Sequence, residues 1–136
     1  MTLVKQYVLF LLWLVLILYL SFTPLKSWPQ PTIFQKLYID KVVHFIMYSV
    51  LSFLLIRSMF RQQIKQLPRY EALLIAFIFS ASVGVAVEFL QPMLTEYRKF
   101  EWMDMVANAA GALGGVFIFK WLLSRRKMGW KAAYRK

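Results

Sequence analysis

Charge is spaced along this chain in long gaps, and the gaps define the helices. From Gln6 to Leu25, 20 residues pass without a charge; Val42 to Ile56 gives 15, Ala72 to Val87 gives 16 and Met105 to Phe119 gives 15. A span of hydrocarbon needs about 20 apolar residues, which the first run meets unaided. The other three reach it when Arg57, Glu88 and Lys120 sit at the interfaces, where long side chains can extend their charged ends into water. A helix of a soluble bundle would carry a charged face opposite its apolar stripe. The segment VVHFIMYSVLSFLLI has none, and AFIFSASVGVAV and VANAAGALGGVFIF are apolar or small on all sides. The pattern therefore predicts helices near 5–22, 40–60, 71–91 and 104–123.

The expected architecture is an all-α polytopic membrane protein, a bundle of four transmembrane helices forming one domain over residues 1–136. Lys5 before the first apolar run could mark a signal peptide. The run exceeds the usual apolar core of about 7 to 15 residues, and SFTPLKSWPQP offers no small-x-small cleavage pattern, so an uncleaved span is expected. Pro24 to Pro31 reads as an extended connection.

Composition agrees with this reading. Hydrophobic residues make up 60% of the 136 positions, well above the roughly 45 to 50% apolar content of soluble domains. Cysteine is absent, which removes disulfides, thiol catalysis and thiolate metal sites. The net charge of +11 would by itself suggest an acidic partner. Topology gives it another origin. With four spans, Lys5, Arg57, Arg61, Lys65, Arg69, Lys120, Arg125, Arg126, Lys127, Lys131, Arg135 and Lys136 share one side with Glu71. The other side balances Lys26, Lys36, Lys41, Arg98 and Lys99 against Asp40, Glu88, Glu96, Glu101 and Asp104. Cytoplasmic segments collect Lys and Arg, so both termini are expected inside the cell membrane, with 124–136 a basic cytoplasmic tail on anionic headgroups. Membrane lipid is the expected partner and nucleic acid is not.

The outer side holds nearly all the acidic residues and the single histidine. At 100° per residue, Asp40, Lys41, His44 and Tyr48 fall within about 100° on helix two, and Asp104, Asn108, Gly111 and Gly115 within about 60° on helix four. Ser80, Gly84, Glu88 and Gln91 share one side of helix three. Each group has a structural explanation. Asp40 and Asp104 could cap helices running inward; Gly84, Gly111 and Gly115 suit close helix packing; His44 could bond Asp40 one turn earlier. Ionisable groups at the edge of hydrocarbon are costly unless paired or hydrated, so their convergence points to a polar pocket. The connection FLQPMLTEYRKFEWM is apolar for a loop, and is expected to lie in the outer interface or dip into it as a re-entrant lid, presenting Arg98 to the pocket.

The ordered set Asp40-Lys41-x-x-His44-Phe45-x-x-Tyr48-x-x-Leu51, then Glu88-x-x-Gln91, Arg98, Asp104-x-x-x-Asn108-x-x-Gly111 and Gly114 or Gly115 resembles the VanZ-like family of small bacterial membrane proteins. The resemblance runs from about Asp40 to Gly115; helix one and the tail carry no signature. It implies a multi-pass protein of the cell envelope in a family whose founding member is linked to resistance to the glycopeptide antibiotic teicoplanin. It also marks Asp40, Lys41, His44, Tyr48, Glu88, Gln91, Arg98, Asp104 and Asn108 as a ligand-binding set.

Three functions follow as expectations. The first is lipid binding: engagement of a lipid-linked cell-wall precursor or lipophilic glycopeptide, with helix N-termini, Lys41 and Arg98 holding a phosphate or carboxylate. The second is an intramembrane enzyme acting on a lipid phosphate or glycolipid bond, with His44, Asp40, Glu88 and Asp104 as catalytic candidates. The same donors could hold a divalent cation, but the pattern is nonspecific, and neither a metal nor a cofactor is assigned. The third, ion or proton movement through Glu88 and His44, is weakened by the apolar inner half of helix four.

Overall fold

A computed structural model describes residues 3–23, 33–61 and 69–125. The Pro-rich connection from Pro24 to Pro31 and the tail beyond Arg125 lie outside the described residues. Four helices follow in order: α1 (Leu3–Phe22), α2 (Ile33–Arg61), α3 (Arg69–Leu94) and α4 (Trp102–Arg125). Three of them contain stretches long and apolar enough to cross a membrane, namely Ile39–Phe60, Tyr70–Leu94 and Trp102–Arg125. In α1 the apolar stretch is the shorter Tyr7–Phe22.

Local signals account for the helix ends. Glu71 stands in the first turn of α3 and Asp104 in that of α4, and Arg125 closes α4, each charge opposing the adjacent end of the helix dipole. Helix α3 runs three residues past its expected end and takes in Pro92, which has no N–H to offer the carbonyl of Glu88 four residues earlier. Beyond Leu94 the amide of Thr95 still donates to the Gln91 carbonyl at 2.9 Å. The apolar residues expected in a lid therefore stand largely on helix ends: Leu90, Met93 and Leu94 on α3, Trp102 and Met103 on α4, all exposed.

The largest departure from the sequence reading is at α2. It begins at Ile33, seven residues before the expected start, so Asp40 lies well inside the helix and does not cap it. This also removes the N-terminus of α2 as an anion cradle beside Asp40, since seven residues of helix span about 10 Å.

The bundle buries polar groups beside its apolar core and is apolar outside. Leu12 and Val15 of α1, Phe117 of α4 and Ile78 of α3 are more than half exposed, whereas Ser52, Ser80, Glu88 and Asn108 are fully buried. Such a distribution suits a lipid solvent, in which apolar side chains lose nothing by facing outward and association depends on close packing and hydrogen bonds. The most intimate pair is α2 with α4. Gly111 and Gly115 bring the two backbones together: a Cβ on Gly111 would strike the Phe45 carbonyl oxygen, and one on Gly115 the Ser49 carbonyl oxygen. Across the same seam the Ser49 hydroxyl donates to the Gly111 carbonyl at 2.8 Å. Helix α1 lies against α2 and α3. The Trp13 indole donates to the Met47 carbonyl at 2.9 Å, while the Gln91 amide and Tyr97 hydroxyl reach back to the carbonyls of Ser21 and Phe22 at 3.1 and 2.5 Å.

Candidate functional site

The end of the bundle formed by the first half of α2, the last turns of α3, the Thr95–Glu101 connection and the start of α4 gathers Asp40, Lys41, Glu88, Arg98, Glu101 and Asp104. Antiparallel neighbours place these segments at one level, although they are some 60 residues apart in the chain. Lys41 is the hub of the outermost layer. Its ammonium donates to Asp104 Oδ1 at 2.5 Å and to Glu101 Oε2 at 3.0 Å. Asp104 is buried, Lys41 nearly so and Glu101 half exposed, so the interaction runs from the interior to the rim. Asp104 thus serves two purposes, supporting the α4 N-terminus and neutralising a lysine on the helix opposite. Arg98 comes from the connection to stand 4.0 Å from Asp40 Oδ1; both side chains keep about a third of their surface exposed.

His44, Asn108 and Glu88 form the next layer inward, all buried. The Asn108 amide nitrogen points to the Gly84 carbonyl at 3.5 Å, which turns its oxygen toward His44 Nδ1 at 2.9 Å. An amide oxygen only accepts, so Nδ1 carries the hydrogen and donates it. The other ring nitrogen, Nε2, faces Asp40 Oδ1 at 3.9 Å, beyond hydrogen-bond range. The expected His44–Asp40 hydrogen bond is therefore absent, and Asn108 orients the ring instead. Gly84 makes this possible: a Cβ there would lie 2.7 Å from Asn108 Cβ.

Glu88 is the most exceptional group in the bundle. It is fully buried, and neither carboxylate oxygen has a hydrogen-bond partner among the described residues; Oε1 is 3.6 Å from His44 Nδ1, whose hydrogen is directed at Asn108. The hydroxyls of Tyr48, Ser52 and Ser80, deeper in the bundle, are likewise buried without partners. Leaving a buried polar group unsatisfied costs about 1–3 kcal/mol, and more for a charged one. Glu88→Gln, which keeps the shape and removes the charge, is expected to raise the thermal stability of the purified protein by about 1 kcal/mol. A melt in detergent measures this, and a lowered midpoint would show that the carboxylate has a stabilising partner after all.

The residues singled out in the sequence thus fall into three groups. Asp40, Lys41, His44, Glu88, Arg98, Asp104 and Asn108 lie in two adjoining layers at one end of the bundle. Tyr48 sits one turn further in from His44, and Gln91 is spent on the carbonyl of Ser21. Gly84, Gly111 and Gly115 are points of close approach. Glu101 and Ser49 went unrecognised as contributors. The spacing of Glu101 three residues before Asp104 was a usable signal, because both then face one cation across a helix start.

Neither a curated protein nor a solved structure matches this chain. A family model described as VanZ/LLP1 matches residues 6–123, almost its whole length and well beyond the motif-bearing core. The chain belongs to the VanZ/LLP1 family.

Proposed function

We propose that this protein spans the bacterial cytoplasmic membrane four times with both termini inside, and that its outer polar layers engage the anionic headgroup of an amphiphile. A lipid-linked cell-wall precursor and a lipophilic glycopeptide are the ligands in view, with teicoplanin-type resistance as the phenotype. Helix α1, at 20 residues, is about 30 Å long and matches the hydrocarbon thickness when Lys5 extends to the interface. The single observation that carries the reading is the placement of Arg98. Its guanidinium is partly buried and stands 4.0 Å from Asp40, outside hydrogen-bond range, and its neighbours along the chain Leu94, Phe100, Trp102 and Met103 are exposed. A charged donor next to an apolar surface suits a molecule with an anionic head and a hydrocarbon tail. Lys41, by contrast, is taken up by Asp104 and Glu101, which leaves less of its charge for an added anion.

Catalysis by His44, Asp40, Glu88 and Asp104 is the second reading. The buried Glu88 carboxylate favours it, and the orientation of His44 by an amide in place of a carboxylate weighs against it.

Binding decides the first reading. The purified protein in nanodiscs is expected to bind teicoplanin or an undecaprenyl-linked precursor, and Arg98→Gln to weaken that binding about tenfold. Absence of binding to either, together with unchanged glycopeptide susceptibility on deletion, overturns it. Orientation is tested separately. Because the chain lacks cysteine, Lys99→Cys should label from outside the cell and Arg125→Cys only after permeabilisation; the reverse result refutes the topology.

A further inference from the structure

We infer that Asp40, His44 and Asp104 form a binding site for one divalent transition-metal ion, of the Mn2+ or Zn2+ class. The three residues come from two helices, and each offers one ligand atom within 4.8 Å of the others. Two of three ligands bonded at about 2.1 Å in a tetrahedral shell lie about 3.4 Å apart. The widest pair therefore needs to close by up to roughly 1.4 Å, which rotation of the Asp40 and Asp104 side chains supplies.

Three observations point to a cation at this position. The first is the histidine tautomer. The chain of bonds from the Gly84 carbonyl through Asn108 places a hydrogen on Nδ1, so that in the neutral ring the Nε2 lone pair faces Asp40 at 3.9 Å. The His44 side chain is 92% buried, its exposure being 8%, and Nε2 makes no hydrogen bond among the described residues. A lone pair facing carboxylates is repulsive unless a positive centre lies between them, and a hydrogen-bonded far nitrogen is the usual support of a metal-ligating imidazole.

The second is charge. Among the described residues, Asp40, Glu101 and Asp104 have Lys41 and Arg98 as their cationic side-chain partners at this end of the bundle. With His44 neutral, these three carboxylates face two cations, leaving one negative charge that a bound cation would offset. Lys41 takes one oxygen of Asp104, and a carboxylate has a second oxygen to give. The third is access: Asp40 is about a third exposed while His44 and Asp104 are buried, so the set opens to the rim on one side. An imidazole with two carboxylates favours Mn2+ or Zn2+ over the all-oxygen preference of Ca2+ and Mg2+.

Binding of the ion stands on these residues alone. That it would present a positive centre beside Arg98 to an anionic headgroup rests on the function proposed above.

The metal alone tests the site. Wild-type protein in detergent, stripped with chelator, is expected to take up one equivalent of Mn2+ as read by loss of the free-ion paramagnetic resonance signal, with Zn2+ displacing it. Pulsed resonance on bound Mn2+ should show coupling to one imidazole 14N. Asp40→Asn and His44→Ala should each weaken uptake at least about tenfold, and the exposed Glu96→Gln should change it less than twofold. Circular dichroism and gel filtration identify any variant that fails to fold, and the wild-type stoichiometry and nitrogen coupling stand without the variants. No uptake of either ion at 100 µM free metal, or bound Mn2+ without nitrogen coupling, overturns the site, and a proton then bridges His44 and Asp40. Failure of ligand binding in nanodiscs with metal uptake intact would refute the amphiphile reading and leave the site standing.

Discussion

Gly111→Leu and Gly115→Leu are each expected to separate α2 from α4 and lower stability by about 3 kcal/mol or more, enough to deplete the folded protein in cells. The atoms in the way are backbone. A Cβ at Gly111 would lie 2.9 Å from Phe45 Cα and 3.0 Å from its carbonyl carbon, and one at Gly115 would lie 3.0 Å from Phe53 N, in addition to the carbonyl clashes at both positions. A backbone on a regular helix cannot turn aside as a side chain can, so the helices must move apart, and overpacking of this kind costs about 1–3 kcal/mol and sometimes more. Separation also breaks the Ser49–Gly111 hydrogen bond. Gly114 is the control between them. Its Cβ would meet Phe45 Cζ and Ser49 Oγ at 3.0 Å, both side-chain atoms, so Gly114→Ala should cost about 1 kcal/mol or less. Denaturation of Gly111→Ala, Gly114→Ala and Gly115→Ala in mixed micelles checks the order on equal terms; equal losses at 111, 114 and 115 would mean that the seam does not depend on these backbone contacts.

Lys41→Met should destabilise the protein by about 3 kcal/mol, because it leaves Asp104 buried with its cation gone. The Asp104 side chain is only 6% exposed and Lys41 17%, so solvent does little to replace the lost partner. Asp104→Leu is expected to be milder: Lys41 retains Glu101 at 3.0 Å and a flexible stem that can reach the rim. The double substitution should cost less than the sum of the two, since replacing both members of a buried pair with apolar groups removes the desolvation penalty along with the attraction. Unfolding of all four proteins in one detergent closes the cycle. Strict additivity would mean that the two charges do not interact.

The helices were legible in the sequence because the interruptions of apolar runs by charge are one-dimensional, and the all-helical order with three long apolar helices follows from them directly. The start of α2 was not. Ile33 to Ile39 is a mixed segment containing Gln35 and Lys36, and a carboxylate at position 40 reads locally as a cap, although helices also extend past their apolar portion into the interface. Grouping by helical angle placed Asp40, His44, Glu88, Asp104 and Asn108 on inward faces. It could not show which partner each would choose. That His44 meets Asn108 and Lys41 meets Asp104, 64 and 63 residues away, depends on the relative height of α2 and α4, which the glycine seam sets and no single-helix pattern encodes. Glu101 was hidden for the same reason: counted as one more outer charge, it became significant only once Lys41 stood opposite it.

The position of α1 has a consequence for mutational tolerance. This helix presents Leu9, Leu11, Leu12, Val15, Leu18 and Tyr19 outward, and its end is held through the backbone carbonyls of Ser21 and Phe22, which any residue supplies. Apolar side chains of α1 should therefore be interchangeable at most outward positions, with Trp13 and the buried Ile17 as fixed points. Random substitution confined to α1 would explore many sequences at little loss, while the same substitution load on α4 would soon meet a glycine, Asn108 or Asp104. The family match takes in this helix, yet the residue motif begins only at Asp40, as suits a segment specified mainly by its solvent and its backbone.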